Sequence, residues 1–430
     1  MSTFSCFSYS QNSSLTLDKN DTFVVDSILL SGNKITKDFV ILNELTFSLG
    51  DTITNEELLF NRERIFSLGL FNKVLVENLR EGPINIIKIE VEESWYIFPL
   101  PFVEIKERDY KKLSYGAYLI YKNFRGRNET IYGTLSFGYN PSFGITYINP
   151  NLSYGSGYFL RFSSSFSKNK NLSPIAELEY GSEFNYNQFF TSLLIGKRLD
   201  TFNKLFLNIS FRYLEIEKFI PDYILGSERV DRIPELGFGY EFDNRDLLQF
   251  PTEGNYFYFG STLKGLGLNN VNYQSMKIDF RNYNNLFNNL FVKFRAALRL
   301  TFGSRVPLYD YSLIGTEEKI RGNFFERIED RNSLNLSTEL YYPLIKERQL
   351  DLTFIPLIPE QLLSYRVAVY LQTFADYGTT FKHFSKKNSS LTGYGLGLSF
   401  LLLPYNVIRF EVGFNEKSQK EFIIDIGTSF

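Results

Sequence analysis

The chain has 430 residues, of which 17% are aromatic, and it carries one cysteine, one histidine and a formal net charge of −2. The near balance of acidic and basic residues gives no sign of nucleic-acid binding, and one cysteine excludes an intrachain disulfide and a multi-thiolate metal site. No apolar run approaches the roughly 18–20 residues that a membrane-spanning helix requires. No nucleophile–base pair or cluster of metal ligands stands out, so we predict neither an enzyme nor a cofactor.

The first residues, 1–21, are rich in serine and asparagine and lack the basic start and apolar core of a secretion signal. We interpret them as an N-terminal tail and a candidate signal remnant.

Residues 22–93 predict a small α+β domain with the order β-α-α-β-β. An apolar run stops at the turn signal Gly32-Asn33, and helical spacing follows over residues 36–48. Thr54 with Glu57 three residues later is a capping box that opens a second helix. Two extended runs then complete the domain.

Turn glycines and one aromatic residue at fixed spacing in this stretch resemble the POTRA (polypeptide-transport-associated) domain. The residues that carry the resemblance are Gly32, Asn33, Gly50, Gly69 and Phe71. A generic α+β module is the alternative. Residues 94–112 follow as a predicted linker that leads into the next domain.

From residue 113 to 430, runs of about ten residues alternate apolar and polar side chains between turn-rich segments. Val292 and Phe294 share one face, for example, while Lys293 and Arg295 share the other. No helical pattern interrupts the alternation, and short connections alternate with long ones, which favours a transmembrane antiparallel β-barrel over a soluble sandwich. The runs predict about 16 strands. The cations Lys293, Arg295, Arg299 and Arg409 are interpreted as a solvated lumen face, with a binding site as the alternative.

The last ten residues alternate in the same way and resemble the C-terminal insertion signal of bacterial outer-membrane proteins. The side chains on the outward face are Phe422, Ile424, Ile426 and Phe430. Because a terminal aromatic residue fits the lipid–water boundary, we expect deletion of Phe430 to impair assembly of the protein.

A long polar loop, at about 303–332, falls between the predicted strands 11 and 12 and contains Arg321-Gly322-Asn323-Phe324. Arginine needs acceptors in fork geometry when it is taken from water. Glu339 and Asp376 lie on the inward faces of strands 12 and 13, so both carboxylates are candidate partners of Arg321. Gly322 would allow a sharp turn, and Phe324 would pack against the barrel wall. An exposed loop arginine with unrelated lumen acids is the alternative.

A second motif marks the connection between the predicted strands 8 and 9. Its residues are Asp243, Arg245, Asp246, Pro251 and Gly254, and this combination of Asp, Pro and Gly predicts a tight turn.

Both motifs resemble signatures of the BamA/TamA-like outer-membrane assembly-factor superfamily, the bacterial surface antigen family. In that family the loop arginine docks on acidic residues of strands 12 and 13, and Glu339 and Asp376 stand in the matching contexts. The chain departs from the family pattern by having one POTRA domain and Ile320 in place of the usual valine.

The resemblance implies a protein of the bacterial outer membrane with its POTRA domain in the periplasm. Implied partners are outer-membrane lipids and unfolded outer-membrane protein clients, with periplasmic chaperones or accessory lipoproteins as further candidates and no nucleic acid. The implied function is insertion of outer-membrane proteins. A two-partner-type secretion pore, a passive porin and a lipid exporter remain the alternatives.

Overall fold

The computed structural model describes residues 21–105, 110–153, 155–180, 184–226, 228–287, 289–315, 318–323, 326–382 and 388–429. Most of the predicted N-terminal tail lies outside these residues, as do Phe324 and Phe430.

The N-terminal domain consists of two small sheets and two helices. Its elements are β1 (Thr22–Val24), β2 (Ser27–Ser31), α1 (Asp38–Leu42), β3 (Thr52–Thr54), α2 (Asn55–Ser67), β4 (Phe71–Glu81) and β5 (Ile84–Glu93). The main sheet has the order β2-β5-β4, with β2 parallel and β4 antiparallel to β5. The predicted element order is confirmed, and β1 with β3 adds a short antiparallel ribbon that the sequence pattern did not indicate.

The two helices differ in how well sequence spacing predicted them. Thr54 accepts from the Glu57 backbone and Glu57 returns the bond, so the predicted capping box starts α2. The first helix is shorter than the spacing over residues 36–48 indicates. A reason is that the Thr46 backbone N–H donates to the Asn61 side chain of α2 at 2.8 Å rather than continuing the helix.

Sixteen strands form one antiparallel sheet in which chain neighbours are also spatial neighbours. The strands are β6 (Ile97–Ile105), β7 (Leu113–Phe124), β8 (Glu129–Gly138), β9 (Ser142–Asn149), β10 (Tyr158–Lys170), β11 (Asn185–Arg198), β12 (Asn203–Ile216), β13 (Val230–Asp243), β14 (Gly254–Lys264), β15 (Tyr273–Phe287), β16 (Leu290–Phe302), β19 (Asn332–Asp351), β20 (Ser364–Phe381), β21 (Ser389–Leu403), β22 (Asn406–Asn415) and β23 (Lys420–Ile426). Two short strands, β17 (Ser312–Ile314) and β18 (Ile328–Asp330), lie in the loop between β16 and β19. The predicted barrel of about 16 strands is confirmed.

The sheet begins earlier than residue 113, because β6 lies inside the segment predicted as a linker. Pro99 and Pro101 concealed this strand, since proline interrupts a strand pattern and is confined to sheet edges. β6 is such an edge: it pairs with β7 on one side. Within the described parts of the chain, no ladder joins β6 to the last strand, β23.

The N-terminal domain packs on one end of the barrel, here called the proximal end. A buried apolar cluster runs from Phe66 and Phe71 of the domain to Phe250, Tyr341 and Leu403 of the barrel. The domain therefore shares a core with the barrel instead of hanging from a free linker.

At the other, distal end, the connections carry structure of their own. The short helix α3 (Pro174–Tyr180) contributes Ala176 to a buried cluster with Leu214, Tyr223 and Leu308. Among the described residues, none of the helices has the length and apolar character needed to cross a membrane.

Candidate functional site

The loop between β16 and β19, residues 303–331, folds back into the barrel. Its short strands β17 and β18 pair with each other and lie against β20. Further along the loop, Ile320 is 4% exposed and packs in a buried cluster with Ile314 and Leu391. These apolar contacts hold the following residue, Arg321, against the inner wall.

Arg321 contacts three strands of the barrel at once. Its Nε and Nη2 donate to the two carboxylate oxygens of Asp376 on β20 at 2.7 and 2.8 Å. Its Nη1 lies 2.5 Å from Oε1 of Glu339 on β19 and 2.9 Å from Oε1 of Glu411 on β22. The guanidinium also stacks on Phe374, with Cζ 3.7 Å from the ring centroid. Bidentate geometry of this kind is specific to arginine, and we call Arg321, Glu339, Asp376 and Glu411 the lumen lock.

The lumen lock is largely shielded from water. The side chains of Glu339 and Glu411 are 0% exposed, that of Asp376 is 2% exposed and that of Arg321 is 10% exposed. Removing one member of such a set leaves buried charge without its partner, which typically costs 3–5 kcal/mol.

The lock holds three carboxylates for one guanidinium, and two further buried cations offset the difference. Arg409 is 4% exposed and donates from Nη1 to Glu411 at 3.1 Å. Lys293 is 1% exposed and is the cross-strand Cα partner of Glu339. Three cations therefore lie beside the three carboxylates, and Arg409 also pairs with Asp425 at 2.7 Å.

Two glycines let the loop backbone lie directly on the barrel wall. Gly322 has φ +89°, and a Cβ there would lie 2.6 Å from the Phe414 carbonyl group of β22. A Cβ on Gly393 of β21 would lie 1.7 Å from the Arg321 carbonyl oxygen. A side chain at either position would displace the loop and with it the guanidinium.

Sequence reasoning paired Arg321 with Glu339 and Asp376, and the structure brings those three side chains together. It missed Glu411, although strand alternation placed Glu411 on the inward face beside Arg409. Alternation shows which face of a strand a residue lies on. It does not show the position of the residue along the barrel axis or its neighbours on other strands, so nothing in the pattern distinguished Glu411 from other inward acids.

The second motif builds the proximal connection between β13 and β14. Asp243 and Arg245 form a bidentate ion pair at 2.7 and 2.8 Å. Asp246 accepts the Thr252 N–H at 3.0 Å, the Thr252 hydroxyl at 2.6 Å and the Glu253 N–H at 3.2 Å.

Burial raises the pKa of the Asp246 carboxyl, while these hydrogen bonds oppose the shift. Pro251 is buried, and Gly254 has φ +105° at the start of β14. The motif thus closes a rigid turn.

Phe250, within the same turn, extends into the barrel and meets a buried lysine. The Lys293 ammonium lies 3.9 Å from the Phe250 ring centroid and 4.1 Å from that of Tyr341. Tyr341 in turn donates its hydroxyl to the Glu339 carboxylate. The turn is therefore linked to the lumen lock through Lys293 and Tyr341.

The interpretation of the four lumen cations as a solvated face is wrong. Besides Lys293 and Arg409, Arg295 donates to Asp279 at 2.8 Å and to Glu318 of the loop at 2.9 Å. Arg299 lies 3.1 Å from Asp310 of the loop. The returning loop and the turn cover this face, and strand alternation contains no information about such cover.

Comparison with known proteins shows the family of the chain. The Omp85 superfamily domain matches residues 123–430, and a POTRA domain described as a surface antigen variable number repeat matches residues 23–94. The chain belongs to the Omp85 superfamily.

Solved structures show the same fold at low sequence identity. The crystal structure of BamA from Haemophilus ducreyi lacking POTRA domains 1–3 has a TM-score of 0.53 at 17% identity, covering 94% of this chain and 83% of that one. CdiB from Escherichia coli has a TM-score of 0.58 at 11% identity, covering 94% and 75%. A search of curated proteins found no match.

Membership of the Omp85 superfamily identifies the chain as a β-barrel of an outer-membrane family whose members are non-enzymatic transporters or assembly factors. Among the residues described, no group of three or more His, Cys, Asp and Glu side chains is arranged to hold a metal ion.

The POTRA residues of this Omp85 protein lie at turns and in the domain core. Asn33 donates to the Thr36 carbonyl at 3.0 Å, and Phe71 is fully buried. Gly32, Gly50 and Gly69 all have positive φ.

The last strand is tied to the lumen lock from inside the barrel. The Gly322 N–H donates to Glu421 of β23 at 2.7 Å, and Arg409 donates to Asp425 at 2.7 Å. Beyond β23, the Ser429 hydroxyl donates to Glu339 at 2.6 Å. The outward side chains Phe422, Ile424 and Ile426 are 72%, 72% and 67% exposed, as the predicted outward register requires.

Proposed function

We propose that this Omp85 protein inserts other proteins into the outer membrane. The POTRA domain, in the periplasm, guides extended client segments, and the barrel seam with locally thinned lipid lowers the barrier to insertion. The observation that supports this most directly is the seam between β6 and β23.

The seam is weak on both sides. β6 lacks the N–H groups of Pro99 and Pro101, and prolines in sheets are placed where the missing N–H faces a free edge. β23 has seven residues and, in the part of the chain that is described, pairs with β22 alone. A seam held by few backbone hydrogen bonds opens at low cost, and membrane thinning beside it costs only fractions of a kcal/mol per Å.

The POTRA domain supplies a site for client segments. In its described sheet, β2 pairs with β5 on one side, and its other edge is unpaired. An extended peptide adds to such an edge through main-chain hydrogen bonds, largely independent of its sequence.

The loop inside the lumen argues against a passive porin. It lies against β20, β21 and β22, and Arg321 contacts β19, β20 and β22. A secretion pore of the two-partner type must move this loop during transport, whereas an insertion factor that works at its seam leaves it in place. A lipid exporter would likewise need a path for its substrate.

The decisive experiment reconstitutes the protein into liposomes and adds urea-unfolded outer-membrane clients. Client insertion is followed by protease protection for the wild type, Arg321→Ala and empty liposomes. We expect insertion well above empty liposomes for the wild type and a strong loss for Arg321→Ala, because the opened lock frees the loop and the last strand together.

Arg305→Ala is the matched control, since Arg305 lies in the same loop with 53% of its side chain exposed. It should insert clients like the wild type. Absence of accelerated insertion, combined with ion conductance or solute flux, would overturn the proposal in favour of a transport barrel.

A further inference from the structure

The connection between β19 and β20 at the proximal end exposes an apolar loop. Residues 352–359, Leu-Thr-Phe-Ile-Pro-Leu-Ile-Pro, contain no charge. Phe354 is 78% exposed, Leu357 is fully exposed at 102% and Ile358 is 44% exposed. Single exposed apolar residues are ordinary, but several together mark a surface that contacts another protein or a membrane.

Two other connections at this end are short and lack this apolar character. The link between β7 and β8 has four residues, 125–128, with the sequence Arg-Gly-Arg-Asn, and the link between β21 and β22 has two, 404–405. The link between β19 and β20 has twelve residues, 352–363. Its length and composition are thus not requirements of barrel closure.

The apolar loop is held in one conformation by its own backbone. The Leu352 N–H donates to the Leu363 carbonyl at 2.8 Å, and the Ile355 N–H donates to the Leu352 carbonyl at 2.9 Å. Leu357 has φ +72°, a left-handed conformation that is rare for a residue with a Cβ. The backbone thereby presents the most exposed leucine at the surface of the loop.

The POTRA domain covers the base of the connection but not its apolar tip. Asn72 of β4 donates to the Gln361 carbonyl at 2.6 Å, and Arg366 of β20 pairs with Glu63 of α2 at 2.7 Å. The exposures of Phe354 and Leu357 are those that remain with the domain in place, so another surface must cover them.

The apolar outer face of the barrel indicates that the surface covering Phe354 and Leu357 is lipid. On β19, Glu339 and Tyr341 point into the lumen, so Leu340, Tyr342 and Leu344 point outward, with exposures of 39%, 49% and 53%. Ile345, after a register shift, is 49% exposed. This apolar stripe on the lipid-facing wall ends at Ile345. The charged residues Lys346, Glu347 and Arg348 follow it, and Leu350, 38% exposed, is the next apolar residue before the loop.

We propose that residues 352–359 insert into the proximal leaflet of the outer membrane and form a lipid anchor beside the POTRA domain. Phe354, Leu357 and Ile358 enter the boundary between headgroups and acyl chains, as apolar residues of interfacial segments do. The exposed Lys346 and Arg348 on β19 then lie near lipid phosphates. This contact is independent of whether the barrel inserts or secretes its clients.

The anchor also constrains the POTRA domain. Gln361 lies two residues after the loop and contacts Asn72, and the Tyr405 hydroxyl donates to the same Gln361 carbonyl at 2.7 Å. A loop fixed in lipid therefore fixes one side of the domain relative to the membrane plane.

The test uses single-cysteine variants of the full chain in a Cys6→Ser background, reconstituted in vesicles that contain lipids with a nitroxide quencher near the headgroup. Leu357→Cys carries an environment-sensitive dye. Glu81→Cys is the control, because it places the dye at the exposed tip of the β4–β5 hairpin, between Arg80 and Gly82. We expect severalfold stronger quenching at position 357 than at position 81.

A second variant separates insertion of the loop from the affinity of the dye for lipid. The dye is placed at Ile358→Cys with and without Phe354→Ser and Leu357→Ser together. Both substituted side chains are exposed, so the barrel should keep its heat resistance on gels while quenching falls to the control level.

Equal quenching at positions 357 and 81 would overturn the proposal. The proposal would also fail if quenching at position 358 survived the double substitution. It would fail as well if the fluorescence of the dye at position 357 changed only after an unfolded client was added. The last result would make the loop a protein-docking surface.

Discussion

At the scale of single residues, the lumen lock depends on one guanidinium. Arg321 forms a fork with Asp376, contacts Glu339 and Glu411 and stacks on Phe374. A lysine has no planar fork and cannot reproduce this set of bonds. Buried ion pairs are not in themselves strongly stabilising, but breaking one of them is costly. The lumen lock therefore holds the loop in place against the inner wall of the barrel.

Replacing Arg321 by alanine leaves buried carboxylates without their main partner. We expect a loss of about 3–5 kcal/mol in the free energy of unfolding, seen as a lower temperature at which the folded band disappears on gels run without boiling. Arg305→Ala in the same loop should change stability by no more than about 0.5 kcal/mol. Melting of Arg321→Ala at the wild-type temperature would show that the lock does not stabilise the barrel.

At the scale of elements, the turn between β13 and β14 is more than a connection. Its Phe250 ring packs on Tyr370 with centroids 4.7 Å apart and lies over the Lys293 ammonium. A buried ammonium depends on such contacts, since cation–π interactions of desolvated groups are worth about 2 kcal/mol or more. The turn thus supports the lumen lock from the proximal side, through the contact of Phe250 with Lys293.

Phe250→Ala should remove this support and leave a cavity. Phenylalanine-to-alanine changes in cores cost about 3–5 kcal/mol, and we expect the same heat-resistance assay to show it. Phe238→Ala is the control on β13, the strand that leads into the turn, because Phe238 is 45% exposed on the outer face. Similar losses in both variants would contradict a special role for Phe250.

The last strand forms the other element on which the lock depends. Its outward side chains are exposed and its inward ones contact Gly322 and Arg409. We predict that deletion of Phe430 impairs assembly, because the chain loses its terminal aromatic residue, which fits the lipid–water boundary. The measurement is the amount of protein in the outer membrane, with Thr428→Ala as a control that keeps the aromatic residue. Normal levels after the deletion would refute the prediction.

At the scale of the whole molecule, the POTRA domain and the barrel share ion pairs as well as a core. Arg366 of β20 contacts Glu63 and lies over the Phe66 ring, with Cζ 4.7 Å from its centroid. Arg198 of β11 pairs with Glu44 of the domain at 2.9 Å. These pairs lie on well-separated strands, so they fix the orientation of the domain.

Arg366→Ala should loosen the domain with little effect on the barrel. The other ion pair it removes, with Glu347 of β19, has a carboxylate that is 40% exposed, and exposed pairs contribute about 0–1 kcal/mol. The Arg366 and Glu63 side chains are 13% and 12% exposed, and loss of a largely buried pair costs on the order of 3 kcal/mol. We expect faster proteolysis near residues 94–96 and an unchanged heat resistance of the barrel. Arg348→Ala, an exposed change on the neighbouring strand, should match the wild type. Unchanged proteolysis in Arg366→Ala would show that the shared apolar core alone holds the domain.

Much of the fold was predictable because strand alternation and turn formation depend on residues that are close together in the chain. Period-two alternation revealed the strands, turn glycines marked the POTRA domain, and the even strand count placed the long loop between strands 11 and 12. The prediction failed for β6, where Pro99 and Pro101 imitate a linker, because an edge strand tolerates residues that a central strand does not. It also failed for the lumen cations, because alternation gives the direction of Lys293 but not what covers it.

From the sequence, side-chain periodicity and turn chemistry predicted the small α+β domain and the barrel, while the resemblance to a family paired the arginine with two of its three acids. Only the tertiary structure brought Glu411, Lys293 and Phe250 to one buried site and placed the apolar loop beside the POTRA domain. Those contacts join residues far apart in the chain, and they depend on how the strands are staggered around the barrel and on the loop that returns into it.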